Sequence, residues 1–61
     1  MLTLEFEGVS FNVDHYSKMD LDSFVNTMEA HVFEQYAAED RIELLKTVHR
    51  LIKSKANQAS E

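Results

Sequence analysis

The stretch Leu2-Thr3-Leu4-Glu5-Phe6-Glu7-Gly8-Val9-Ser10-Phe11-Asn12-Val13 decides the fold. Apolar and polar residues alternate strictly on both sides of one glycine, and a period of two is the signature of a half-buried strand. A two-residue turn at Glu7-Gly8 would set Phe6 opposite Val9, Leu4 opposite Phe11 and Leu2 opposite Val13. All six apolar side chains then share one face, and Thr3–Asn12 and Glu5–Ser10 share the other. A slip of one residue would scatter the set over both faces, so the pattern selects this register. Gly8 supplies the positive φ that such turns demand. A lone hairpin is marginal in water, so its apolar face needs a cover from the rest of the chain.

Two amphipathic segments supply it. After a connection over 14–19, Asp20 is the preferred N-cap of a first helix; Ser17 is the alternative, with Tyr16 and Leu21 as its staple pair. Leu21, Phe24, Val25, Met28, His31, Val32 and Tyr36 recur at helical spacing over an arc of about 140°, and Phe33 lies outside it. A second helix is predicted from Ala38 to Lys55, with Glu39 and Asp40 in its first turn and Lys53 and Lys55 in its last, as the helix dipole favours. It carries two apolar rows: Ala38, Ile42, Leu45, His49, Ile52, and Ala37, Arg41, Leu44, Val48, Leu51. No Gly or Pro separates the helices. A single continuous helix would shift its apolar stripe sharply around the axis, so a break is expected near 34–37. The fold class read from the chain is α+β, a two-stranded N-terminal β-hairpin packed against two antiparallel amphipathic helices (ββαα). Residues 1–55 are expected to form one compact domain, and 56–61 a frayed polar tail.

The 61 residues include no cysteine, so disulfides and thiolate metal sites are excluded. One small core seldom supplies more than about 3–5 kcal/mol, which makes a partner subunit the default extra support. No run approaches the roughly 20 apolar residues of a membrane helix, and the first residues lack the pattern of a signal peptide. A cytoplasmic location is therefore expected, with no membrane association. The net charge of −5 is unevenly spread. Residues 1–40 carry nine acids and one base, Lys18, whereas 41–55 carry five bases and one acid, Glu43.

Each chemical motif fails on a physical requirement. No pair of histidines among His15, His31 and His49 has the spacing of metal ligands one turn apart, although an antiparallel helix pair would bring His31 toward His49. The acids have no cleft in which to be held at separate pKa values. One glycine does not make a phosphate loop. No enzyme activity, cofactor, metal or small-molecule substrate is expected. The stripe Lys46, Arg50, Lys53 resembles a phosphate-binding face, but Glu39 and Glu43 share its side and no aromatic interleaves it.

The second helix is apolar over more of its circumference than one packing seam covers. Ile42, Leu45 and Ile52 are assigned to the internal core, and the outer row to an interface of Leu44, Val48 and Leu51 with Arg41, Phe33 and Tyr36 around it. Three functions are ranked on this basis. First comes a non-enzymatic protein–protein interaction module, with homodimerisation the expected mode. Second is an acidic inhibitor whose carboxylates imitate nucleic-acid phosphates in a basic groove of a target. Third is a nucleic-acid binder using the basic stripe.

Overall fold

The computed structural model describes residues 2–59. Its elements, in order, are β1 (Thr3–Phe6), β2 (Val9–Asn12), α1 (Val13–Tyr16), α2 (Leu21–Met28) and α3 (Ala38–Ala59). The architecture is a small α+β arrangement in which an N-terminal antiparallel hairpin packs against three helices, one more than the sequence pattern predicts.

The hairpin has the predicted register: Thr3 pairs with Asn12, Leu4 with Phe11, Glu5 with Ser10 and Phe6 with Val9. Glu7 and Gly8 both take positive φ, 51° and 79°, the combination of a type I′ turn that follows the twist of the strands. Val13 departs from the expectation of a continued strand. Its N–H still donates to the Leu2 carbonyl at 2.9 Å, closing the ladder, but its own backbone begins α1. Asn12 is the cause: its side chain accepts from the His15 N–H at 3.1 Å and caps that single turn. Asn is among the strongest N-caps, and one such residue converts the expected loop into a helix.

The second correction concerns α2. Asp20 is its N-cap residue as predicted, but the helix ends at Met28 rather than running to Tyr36. Residues 29–37 instead form a series of turns in which the N–H groups of His31 and Val32 both reach the Met28 carbonyl. Phe33 adopts φ 59° there, a left-handed conformation that costs a bulky residue about 1–3 kcal/mol. Burial of its ring offsets that strain: Phe33 is 3% exposed and meets Phe6, Phe11 and Tyr36 at centroid distances of 6.2, 6.3 and 6.1 Å. The break therefore comes about five residues earlier than the apolar phase implies, and it carries Phe33, outside the predicted arc, into the core.

The Met19 carbonyl lies at His49 and the Glu29 carbonyl at Arg41, so the chain doubles back and α3 runs along α2 in the opposite sense. At 22 residues α3 is about 33 Å long, and it sets the long dimension of the molecule, 37 Å. It continues past Lys55, the predicted end, to Ala59; Ser60 and Glu61 of the expected tail lie outside the described residues.

The core consists of Phe11, Val13, Phe24, Val25, Met28, Phe33, Leu45, Val48 and Ile52. Phe11 sits among Tyr16, Phe24 and Phe33, with ring centroids 6.1–6.4 Å away. The buried stripe of α3 straddles the two rows, taking Leu45, His49 and Ile52 from one and Val48 from the other. The hairpin, α1 and α2 all pack on α3, and three neighbours cover a wider arc than the single seam on which the outer row was placed at the surface.

Candidate functional site

Of the six residues assigned to an interface, two are consumed internally. Val48 is fully buried and Phe33 almost so, so neither offers surface to a partner of this fold. Arg41 also turns inward rather than standing at a rim. Its guanidinium donates through Nε to the Phe33 carbonyl at 3.2 Å, through Nη1 to that of Glu29 at 3.1 Å, and through Nη2 to those of Tyr36 at 3.1 Å and Glu34 at 3.5 Å. Of these, only the Glu29 carbonyl would have been paired along the axis of an α2 that ran to Tyr36; those of Phe33, Glu34 and Tyr36 would fall in its last turn, where carbonyls lack intrahelical partners. Charge-assisted bonds of this kind are the stronger class, and here they hold the turns in place of a helix. The signal was present in the sequence: an arginine inside an apolar row needs buried acceptors, and the turn carbonyls supply them.

Leu44, Leu51 and Tyr36 remain. Leu51 is 39% exposed and Leu21 37%, the exposed large hydrophobic side chains among the described residues. Leu44 and Tyr36 are half-buried against the edge of the core. Tyr36, Leu44, Asp40 and Glu43 line a shallow open concavity of about 290 Å³. Its lining combines an aromatic residue and a leucine with two acidic residues. The N-terminal turns of α3 deliver Asp40, Glu43 and Leu44, and the turns secured by Arg41 deliver Tyr36.

Tyr36 is tied to the hairpin tip as well. Its hydroxyl donates to Glu7 Oε2 at 3.0 Å. Hydrogen bonding to the Glu7 carboxylate, reinforced by its charge, holds the phenol pKa above its ordinary value. The bond is thus intact at neutral pH and is lost as pH rises through that raised pKa. Glu7→Gln keeps an acceptor but removes the charge. One of the two tyrosines should then ionise at lower pH in an ultraviolet titration, and an unchanged titration would show that the carboxylate does not act on Tyr36.

His49 is 8% exposed. Its Nε2 lies 2.9 Å from the Met19 carbonyl, which fixes that nitrogen as the protonated donor. Its ring is tilted against Phe24 at 5.3 Å. Asp20 has its carboxyl pKa lowered, chiefly by the Ser23 side chain and to a smaller degree by His49. His31, by contrast, is exposed in the turn after α2. The two histidines have separate surroundings, and among the described residues no group of three or more His, Cys, Asp or Glu is placed to hold a metal ion. Lys46, Arg50 and Lys53 are exposed on the side of α3 away from the core. Lys55 instead crosses to β1, where its Nζ donates to the Thr3 carbonyl at 2.6 Å. No described helix is long and apolar enough to cross a membrane. No protein-family model, curated protein or solved structure matches the chain.

Proposed function

We propose that this chain is a small non-enzymatic protein–protein interaction module that self-associates through the flank of α3 bearing Leu44 and Leu51. The observation that supports it is the residual apolar surface there. Leu45, Val48, His49 and Ile52 are closed over by the neighbours of α3 and Ile42 is half-buried, yet Leu51 stays 39% exposed two turns from the half-buried Leu44, with Tyr36 beside the latter. Full burial of a leucine contributes roughly 1.5–3 kcal/mol, and only part of that is still to be gained here. After the costs of association, the dimer proposed is a weak one, with Kd on the order of 100 µM.

Sedimentation equilibrium of the wild type across that concentration range tests the reading directly. Leu51→Asp is the informative variant, because position 51 is exposed and the substitution leaves the core untouched. Wild type should show a concentration-dependent rise in mass, and Leu51→Asp should remain monomeric with a near-normal thermal melt. A wild type that is monomeric up to millimolar concentration would remove self-association.

A further inference from the structure

The concavity at the start of α3 has a distinct chemistry. It is lined by Tyr36 and Leu44 together with two acidic residues, Asp40 and Glu43. Arg41, the nearest base in sequence, directs its donors to the main-chain carbonyls of 29–36. Such a site suits a cation on an apolar stem. The methylenes of an arginine cover the leucine and the ring edge while its head stays hydrated between carboxylates, and the aromatic face adds a cation–π attraction.

The same helix carries the complement. Arg50 is exposed and follows Glu43 by seven residues, close to two full turns, so the two side chains leave α3 on the same side. Leu44 and Leu51 have the same separation. A two-fold axis level with Lys46–Thr47 runs one α3 antiparallel to the other. It sets each Glu43 at the height of the opposite Arg50, and each Leu44 about 3 Å along the axis from the opposite Leu51. An isologous contact makes every such pair twice, here about 10 Å apart along the helix.

We infer that the concavity lined by Tyr36, Asp40, Glu43 and Leu44 receives the Arg50 side chain of a second copy of this chain, so that two reciprocal arginine–carboxylate contacts flank a Leu44–Leu51 seam. This rests on the self-association reading above and specifies its geometry. Opposite orientation is selected by charge: α3 opens with Glu39, Asp40 and Glu43 and continues with Lys46, Arg50 and Lys53, so parallel copies would set like charges against each other, whereas antiparallel copies set acids against bases.

The test is a charge-swap cycle on the full chain, read by sedimentation, with a thermal melt of each variant as the folding control. Glu43→Arg and Arg50→Glu both fall on exposed positions, where single charges have little effect on stability. Each alone should weaken the dimer about tenfold, since both symmetry-related contacts are lost together. The double variant should return Kd to within about threefold of wild type, because the pair is remade with its signs reversed. Raising the salt concentration should weaken the wild-type dimer and the double variant alike. Three outcomes would overturn the inference. A monomeric wild type removes it together with the proposed function. A dimer that Leu51→Asp breaks but the charge swaps leave unchanged removes the arginine contact alone. A double variant no tighter than the weaker single shows that Glu43 and Arg50 do not meet.

Discussion

Phe11→Ala is expected to unfold most of the population at room temperature. The ring is fully buried and meets Tyr16, Phe24 and Phe33 on three sides, which join β2 to α1, to α2 and to the turns after α2. Truncating a buried phenylalanine costs about 3–5 kcal/mol, the sum of lost transfer energy and the cavity left behind. A core of this size holds a comparable total. The cavity would be hard to close, because its walls come from separate elements and Phe33 is fixed by its backbone conformation. Urea or thermal denaturation followed by circular dichroism checks this. A variant that melts within a few degrees of wild type would mean that Phe11 does not centre the core.

The hairpin was legible because its signals agree at every level. Alternation, a central glycine and one consistent facing pattern all specify the same pairs, and the observed register of Leu4 with Phe11 and Phe6 with Val9 follows. Asp20 as the start of α2 was legible for a similar local reason. The helix ends and the exposed face were not legible in the same way: α2 stops at turns that Arg41 holds from a distant helix, and the exposed face was misjudged through α1. α1 begins at the Asn12 side-chain cap, a signal that the alternating pattern overrides when only polarity is read. With α1 treated as loop, α3 lacked one of its neighbours, and its outer row was left without an internal partner. Val48 was therefore placed at the surface although α3 buries it completely. Leu51, one turn further round, was placed there as well and is exposed.

Glu7 illustrates a conflict between local and tertiary demands. A type I′ turn favours Asn or Gly at its first central position, yet Glu7 holds φ 51° there. Its carboxylate reaches Tyr36 across 29 residues of sequence, which an asparagine side chain is one methylene too short to match from the same backbone. The turn thus gives up some local preference and gains a tie to the segment that lines the concavity.

Arg41→Met should lower stability by about 2–3 kcal/mol and loosen the 29–37 turns before the rest of the molecule. The substitution keeps much of the apolar stem and a good helix former, so the loss isolates the guanidinium. That group supplies hydrogen bonds to the carbonyls of Glu29, Phe33, Glu34 and Tyr36. Bonds to a charged group contribute about 1.5–3 kcal/mol each when measured singly, and the full set is not additive because carbonyls at the surface recover water. The bonds to Glu29, Phe33 and Tyr36 are the part-buried ones; the Phe33 carbonyl keeps the Tyr36 N–H as a donor, so most of the cost falls on the carbonyls of Glu29 and Tyr36. Phe33 makes the effect specific. Its left-handed backbone is strained, and the Arg41 Nε bond to its carbonyl is one of the contacts that holds it there. Without that bond the segment has a local reason to relax, for instance by extending α2 beyond Met28. Arg41→Lys should recover little, because an ammonium lacks the planar fork that reaches several carbonyls at once. Amide hydrogen exchange distinguishes the outcomes. Faster exchange at His31, Val32 and Tyr36, with Leu45 to Ile52 retaining most of their protection, is the expected pattern. Uniform loss of protection through α3, or no change in the 29–37 segment, would show that Arg41 does not organise these turns.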